Sequence, residues 1–350
     1  MTHPRDVLVG ATAVAALPVC DHYCGVESRM VKSLQLQAQW SRRSAACLFD
    51  VTLDCEDGAP VGSEQVHAQR VCDLAAHTWE AASREAGPVL PRIAVRVHPV
   101  DHPAFASDVQ IILGGAAPAL CHVMLPKVES RHDVDHAVAA IDRAAAASGR
   151  ETPVPVQVLI ESPQALQQVA DIVSHPRVQS ASFGLMDFVS AHAGCIPASA
   201  MGMAAPGQTD ELDQFHHPLV VRAKLEISAA CHAYGKVASH CVVTEFKDAS
   251  RVRTAARQAS QAFGYARMWS IHPDQIQPIL EAFAPPEAQV QQASAVICAG
   301  HAVQWAPVSV QGQLHDRASY RYFWQVLERA HQTAKLPAHD PAQVFFSKAQ

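Results

Sequence analysis

Glu161 and Asp187 lie 26 residues apart, each just beyond a short apolar run that ends in Ile160 or in Phe183–Gly184–Leu185–Met186. Two carboxylates brought to one cavity repel each other unless a proton or a cation sits between them. Hard oxygen ligands suit magnesium, which keeps waters and leaves positions for a substrate carboxylate and carbonyl. The same spacing also allows a plainer use, with Glu161 capping a helix that starts at Pro163 and Asp187 capping the next one. Other charged groups follow apolar runs in the same way. Arg96 in Arg96–Val97–His98 is a fork for a substrate carboxylate or an enolate oxygen, or a partner for a strand-end acid. Lys127, after Leu125–Pro126, either adds positive charge on the substrate side or pairs with Glu129 or Glu161. Asp54, Glu56 and Asp57 are too many carboxylates in four residues for capping alone. At least one of them is expected to bond a basic group or metal-bound water, with Arg96 and Lys127 offsetting part of their charge.

Weaker patterns point to packing. Cys20, His22 and Cys24 lack a second cysteine pair for zinc. His240 and Cys241 are adjacent on an expected strand, so their side chains should diverge. Gly114–Gly115 lacks the rest of a phosphate-binding fingerprint.

The elements that would position these groups alternate along the chain. Strand-like runs are expected at 7–14, 47–53, 92–97, 121–125, 154–160, 180–183, 236–242 and 266–269, each short and apolar or β-branched. Helical periodicity fills intervals between them, at 131–147, 220–234 and 249–263. Eight such units predict a (β/α)8 barrel over residues 1–285, an α/β fold whose chemistry sits at the C-terminal strand ends. A doubly wound open sheet is the competing layout. Residues 286–350, with a helix expected at 317–330, form a C-terminal helical tail that must pack outside a closed sheet, cover a mouth or dock on another subunit.

Composition bounds the partners. The 350 residues carry a net charge of -6 with 49% hydrophobic and 17% charged residues, which lacks the basic excess of nucleic-acid binders and favours a small-molecule partner. The early apolar run 7–19 is too short to span a membrane, and Asp6 opposes the single Arg5 before it, unlike a secretory signal. Ten scattered cysteines fit buried thiols in a reducing cytoplasm.

Taken in order, Leu53–Asp54–Cys55–Glu56–Asp57, Arg96–Val97–His98, Leu125–Pro126–Lys127–Val128–Glu129, Ile160–Glu161–Ser162, Phe183–Gly184–Leu185–Met186–Asp187 and Ser270–Ile271–His272–Pro273–Asp274–Gln275–Ile276 resemble the magnesium-dependent aldolase family of the citrate lyase beta subunit and the malyl-coenzyme A lyases. The resemblance runs from about residue 28 to 279 and resumes around 299–330. It implies a (β/α)8 barrel with Mg2+, or Mn2+ in its place, on Glu161 and Asp187. Arg96 would contact substrate and steady an enolate, with Lys127, Gly184 and Met186 on the substrate side. Glu56 would lie near the metal waters, and Asp54 begins the same motif. The resemblance further implies a homotrimer or hexamer whose C-terminal segment reaches a neighbour's active site, where Asp316 matches a catalytic aspartate. The chain departs from the pattern in three places. The Arg-Ser-x-Leu-Phe-x-Pro-Gly segment of coenzyme A-using relatives is replaced around residues 15–22, His98 stands for the usual asparagine, and Gly58 takes a position often held by alanine. Residues 201–214 read as a glycine-containing insertion near the mouth.

The expected reaction is the cleavage of a β-hydroxy carboxylic acid, or its coenzyme A thioester, into a keto acid and an enolate-derived product. Alternatives are a malyl-type thioesterase, an aldolase on free hydroxy-keto acids, and a non-catalytic metabolite-binding barrel.

Overall fold

The computed structural model describes residues 3–10, 17–44, 46–85, 89–204 and 212–346. The chain forms two compact units, Val19–Ala282 and Met1–Pro18 with Phe283–Gln350. In the larger unit eight parallel strands close in sequence order: β1 (Cys20–Cys24), β2 (Phe49–Asp54), β3 (Ile93–Arg96), β4 (Leu120–Leu125), β5 (Val156–Ile160), β6 (Val178–Phe183), β7 (Val237–His240) and β8 (Arg267–Ser270). β8 returns to β1 with Met268 beside Cys20 and Ser270 beside His22, which closes the barrel and excludes the open sheet.

Seven strands form where apolar runs predict them. The first does not. Pro4–Leu8 is a helix with Pro4 at its start and the His3 side chain accepting from the Arg5 N–H, while residues 11–14 of the expected strand lie outside the described residues. The true first strand reads Cys-Asp-His-Tyr-Cys, too polar to announce itself. Barrel closure makes that composition tolerable. Asp21 points inward, where its carboxylate meets Arg267 Nη2 at 2.8 Å and accepts from Thr52 Oγ1 at 2.7 Å. Asp50 takes the same guanidinium at 2.6 Å and Arg92 Nε at 2.5 Å. His22 points the other way, between Ser270 Oγ and Ser33 Oγ at 3.0 Å each, so the Cys20–His22–Cys24 pattern serves packing.

Helices cover the outside of the barrel. Arg131–Ala147 forms at the expected bounds, opened by a capping box between Ser130 and Asp133. Pro218–Ala233 and Ala249–Gln261 match the other two periodic stretches within a few residues. Among the described residues no helix is long and apolar enough to cross a membrane.

Burial makes the barrel acid-sensitive. His122 and His240 are fully buried; burial pushes the His122 imidazole down to about 4 and His240 well below its ordinary value, where the Lys224 ammonium adds to the effect. The unfolded chain therefore binds more protons than the folded one below the ordinary histidine value. Stability is lost as pH falls from about 6.5 toward 4, by on the order of 3 kcal/mol for His122 alone. Urea unfolding at pH 7.5, 6, 5 and 4.5 should show the decline, and His122→Gln should flatten it.

In the smaller unit the helices Glu287–Ala302 and Arg317–Gln332 pack on each other and on Pro4–Leu8. Tyr320, Phe323, Trp324 and Leu327 recur at helical spacing and meet Leu8, Val290 and Ile297. Gly300 permits the approach, since a Cβ there would lie 2.9 Å from the Tyr320 ring. The hairpin of β9 (Val308–Val310) and β10 (Gln313–His315) turns through Gln311 and Gly312, both with positive φ, as a two-residue turn of this kind requires.

Candidate active site

Glu161 follows β5 and Asp187 lies in the first turn of the helix Leu185–Ser190 after β6. Both line one cavity of about 260 Å3, together with Tyr23, Arg96, Gly184, Met186 and Trp269. Neither acid is the cap that spacing allowed. Ser162 caps Pro163–Gln167 by accepting from the Ala165 N–H at 2.9 Å, and Gly184 holds the cap position before Leu185.

Glu161 is buried, and its Oε1 accepts from the Lys127 backbone N–H at 3.0 Å. Lys127 has a left-handed backbone, φ 49°, at the turn that presents this N–H. Burial and then the negative charge of Asp187 push the Glu161 carboxyl up to about 8, with the Lys127 N–H opposing. A pair of hard oxygen donors whose mutual charge raises a pKa in this way suits a divalent cation.

Gly184 completes this cradle. A Cβ at Gly184 would stand 2.5 Å from Glu161 Cγ and 2.8 Å from its Oε2. Gly184→Ala should therefore displace the carboxylate and weaken magnesium binding about 10- to 100-fold, read by titration calorimetry, with thermal unfolding of the metal-free protein little changed.

Arg96 ends β3 and is buried. Its Nε and Nη2 donate to Asp54 Oδ1 and Oδ2 at 2.6 and 2.8 Å, Nη1 meets Glu56 Oε2 at 2.8 Å, and Nη2 also donates to Tyr23 Oη at 2.6 Å. Asp54 is fully buried and takes further bonds from the N–H groups of Glu56 and Gly58. It lines neither cavity described here, and so orients Arg96 and the loop after β2. Gly58 is fitted to this duty, because a Cβ there would fall 2.3 Å from Asp54 Oδ2. Lys127 Nζ pairs with Glu56 and, at 3.1 Å, with Asp57. The strand-end acids thus take the basic partners expected of them.

Glu56, Lys127 and His98 line a second cavity of about 480 Å3, and Asp57 borders both. His98 is held there by the buried Asp108, Nδ1 to Oδ2 at 2.6 Å, and stacks on His102. Cys241 borders the first cavity, but its Sγ donates to Gln214 Oε1 at 3.3 Å and lies 3.7 Å from His240 Nδ1, so these two side chains meet rather than diverge, with the His240 ring stacked on Phe215. Asp316 belongs to the smaller unit, where it is exposed and caps Arg317–Gln332 by accepting from the Ala318 and Ser319 N–H groups. Part of the expected insertion, residues 205–211, lies outside the described residues.

Two features escaped the residue patterns. Tyr23 reaches the first cavity because β1 lies later than expected. Asp50, Cys121 and His122 bring an oxygen, a sulfur and a nitrogen within 4.8 Å of one another, a metal-capable group unforeseen in the sequence. Both Asp50 oxygens already meet guanidinium groups, of Arg92 and Arg267. A cation there would face two positive charges, and its thiol suits softer metals than magnesium.

A closed parallel barrel with a carboxylate pair and a buried guanidinium at its C-terminal strand ends suits a metal-assisted carbon–carbon lyase of the aldolase type. The chain belongs to the HpcH/HpaI aldolase/citrate lyase family, whose pattern matches residues 45–273. It is 31% identical to the L-malyl-CoA/beta-methylmalyl-CoA lyase of Cereibacter sphaeroides over 84% of this chain and 91% of that protein. A citrate lyase structure from Burkholderia xenovorans is 46% identical, with a TM-score of 0.77 over 98% of this chain and 99% of that one. Protein CitE of Mycobacterium tuberculosis, solved with magnesium, acetoacetate and coenzyme A, shares the fold at a TM-score of 0.59 and 21% identity, covering 90% of this chain and 98% of its own.

Proposed function

We propose that the protein is a magnesium-dependent lyase that splits a β-hydroxy carboxylic acid, or its coenzyme A thioester, into a keto acid and an enolate-derived product. The observation that carries this function is the pair Glu161 and Asp187 lining one cavity with Arg96. Glu161 and Asp187 are the residues that hold the cation, which when bound supplies positive charge to the substrate carboxylate and the neighbouring oxygen. Manganese, with similar oxygen preference, substitutes for it.

The chain's own groups do the rest. The Lys127 N–H and the bare Cα of Gly184 fix the direction of Glu161. Asp54 holds the Arg96 fork in one plane, and Arg96 meets the enolate oxygen where charge appears as the carbon–carbon bond breaks. Met186 and Gly184 border the substrate, and Lys127 keeps Glu56 and Asp57 compensated beside it. Glu56 takes part through water from the second cavity.

Asp316 is the acid/base group for removal of the hydroxyl proton. In this scheme the barrel unit Val19–Ala282 is catalytic and residues 286–350 act as lid and oligomerisation segment, with Asp316 delivered to a neighbouring subunit in a homotrimer or hexamer. The free cysteines suit a cytoplasmic setting.

Incubation with magnesium and a panel of β-hydroxy acids and their coenzyme A thioesters tests the proposal, with glyoxylate, pyruvate and oxaloacetate monitored. Release of one keto acid, abolished by chelation, is expected. No release from any member would leave a barrel that only binds a metabolite.

A further inference from the structure

We propose that Tyr23 is a further catalytic residue, whose phenol hydroxyl donates a hydrogen bond to the enolate oxygen beside Arg96. The proposal rests on the lyase function above. Tyr23 lies on β1 and lines the same cavity as Glu161, Asp187 and Arg96. Its oxygen accepts from Arg96 Nη2 at 2.6 Å, so one lone pair is used and the phenol proton is still available. Among the described residues no protein acceptor takes that proton.

The carboxylates nearby are already engaged. Asp54 accepts from Arg96 and two backbone N–H groups, Glu56 meets Arg96 and Lys127, and Asp57 meets Lys127.

The ring is held as a donor must be. The Arg96 guanidinium carbon lies 4.6 Å from its centroid, and the Trp269 ring packs against it at 5.3 Å. Trp269 is itself fixed by its indole N–H on Ser182 Oγ at 2.8 Å. Burial raises the phenol well above its ordinary range, with Arg96 opposing, so the hydroxyl stays protonated. A guanidinium and a phenol joined at 2.6 Å form two preorganised donors for one developing charge.

The electron count is simple. The substrate hydroxyl loses its proton to the base, the carbon–carbon bond breaks, and its electron pair comes to rest on the carbonyl oxygen of the enolate. Tyr23 strengthens one hydrogen bond during that step and keeps its proton throughout.

Tyr23→Phe keeps the ring contacts and removes the donor. The mutant should show kcat about 10²-fold lower on the acid or thioester that the wild type cleaves, with KM within a factor of about three. Methyl hydrogen–deuterium exchange, followed by proton NMR on acetyl-coenzyme A and on pyruvate with magnesium in D2O, should slow similarly. Exchange and kcat within threefold of wild type would overturn the role of Tyr23 while leaving the lyase function standing. Absence of both exchange and cleavage in the wild type would instead remove the lyase function, and this proposal with it. Should Tyr23→Phe fold poorly, 3-fluorotyrosine at position 23 supplies the second test. A donor role predicts that the more acidic phenol changes kcat at neutral pH by about twofold or more with KM kept, and an unchanged kcat speaks against it.

Discussion

Asp187→Ala should lose magnesium-dependent turnover by about 10³-fold or more, since ~4 kcal/mol of charge stabilisation corresponds to that factor. The fold should survive, because the Asp187 carboxylate accepts no hydrogen bond among the described residues and its negative charge raises the Glu161 pKa. Removing it relieves a like-charge contact in the metal-free protein. Thermal unfolding without metal should therefore be unchanged or slightly higher than wild type. Added magnesium should raise the wild-type midpoint and leave the mutant where it was, as expected when a ligand binds the folded state of only one of them. Undiminished turnover in the purified mutant would remove Asp187 from the metal site.

Arg96→Lys should cost 10²- to 10³-fold in kcat, the scale of one lost oxyanion donor, about 3–4 kcal/mol. Lysine keeps the charge and loses the fork. Arg96 spans both Asp54 oxygens, Glu56 and Tyr23 at distances between 2.6 and 2.8 Å, and a single ammonium cannot serve all four. Some stability should go as well, because the fully buried Asp54 loses one of its two guanidinium bonds. Steady-state kinetics beside urea unfolding separates the two effects. A rate loss of tenfold or less, matched by the loss of stability, would mean that Arg96 only braces the loop after β2.

Most of the barrel was legible because buried parallel strands are short apolar runs, and seven of them stand where hydrophobicity puts them. β1 was hidden because Asp21 and His22 are polar, and their reasons for being inside, Arg267 and Thr52 for one and Ser270 and Ser33 for the other, lie on distant segments. With β1 misplaced, Tyr23 could not be placed in the mouth. Glu161 and Arg96 were legible because each directly follows or ends an apolar strand, and Asp187 because it stands in the first helical turn after β6. Their supports were less so. The backbone N–H of Lys127 and the missing Cβ of Gly184 act through geometry, which residue type does not encode. The Asp50–Cys121–His122 group was invisible for a related reason, since it joins β2 and β4 across the barrel interior.

Anomalous diffraction from crystals soaked in Mn2+ locates the cation directly. The account predicts one strong peak shared by the carboxylates of Glu161 and Asp187, in the cavity that Arg96 borders. A peak at Asp50, Cys121 and His122 with none at Glu161 and Asp187 would contradict it.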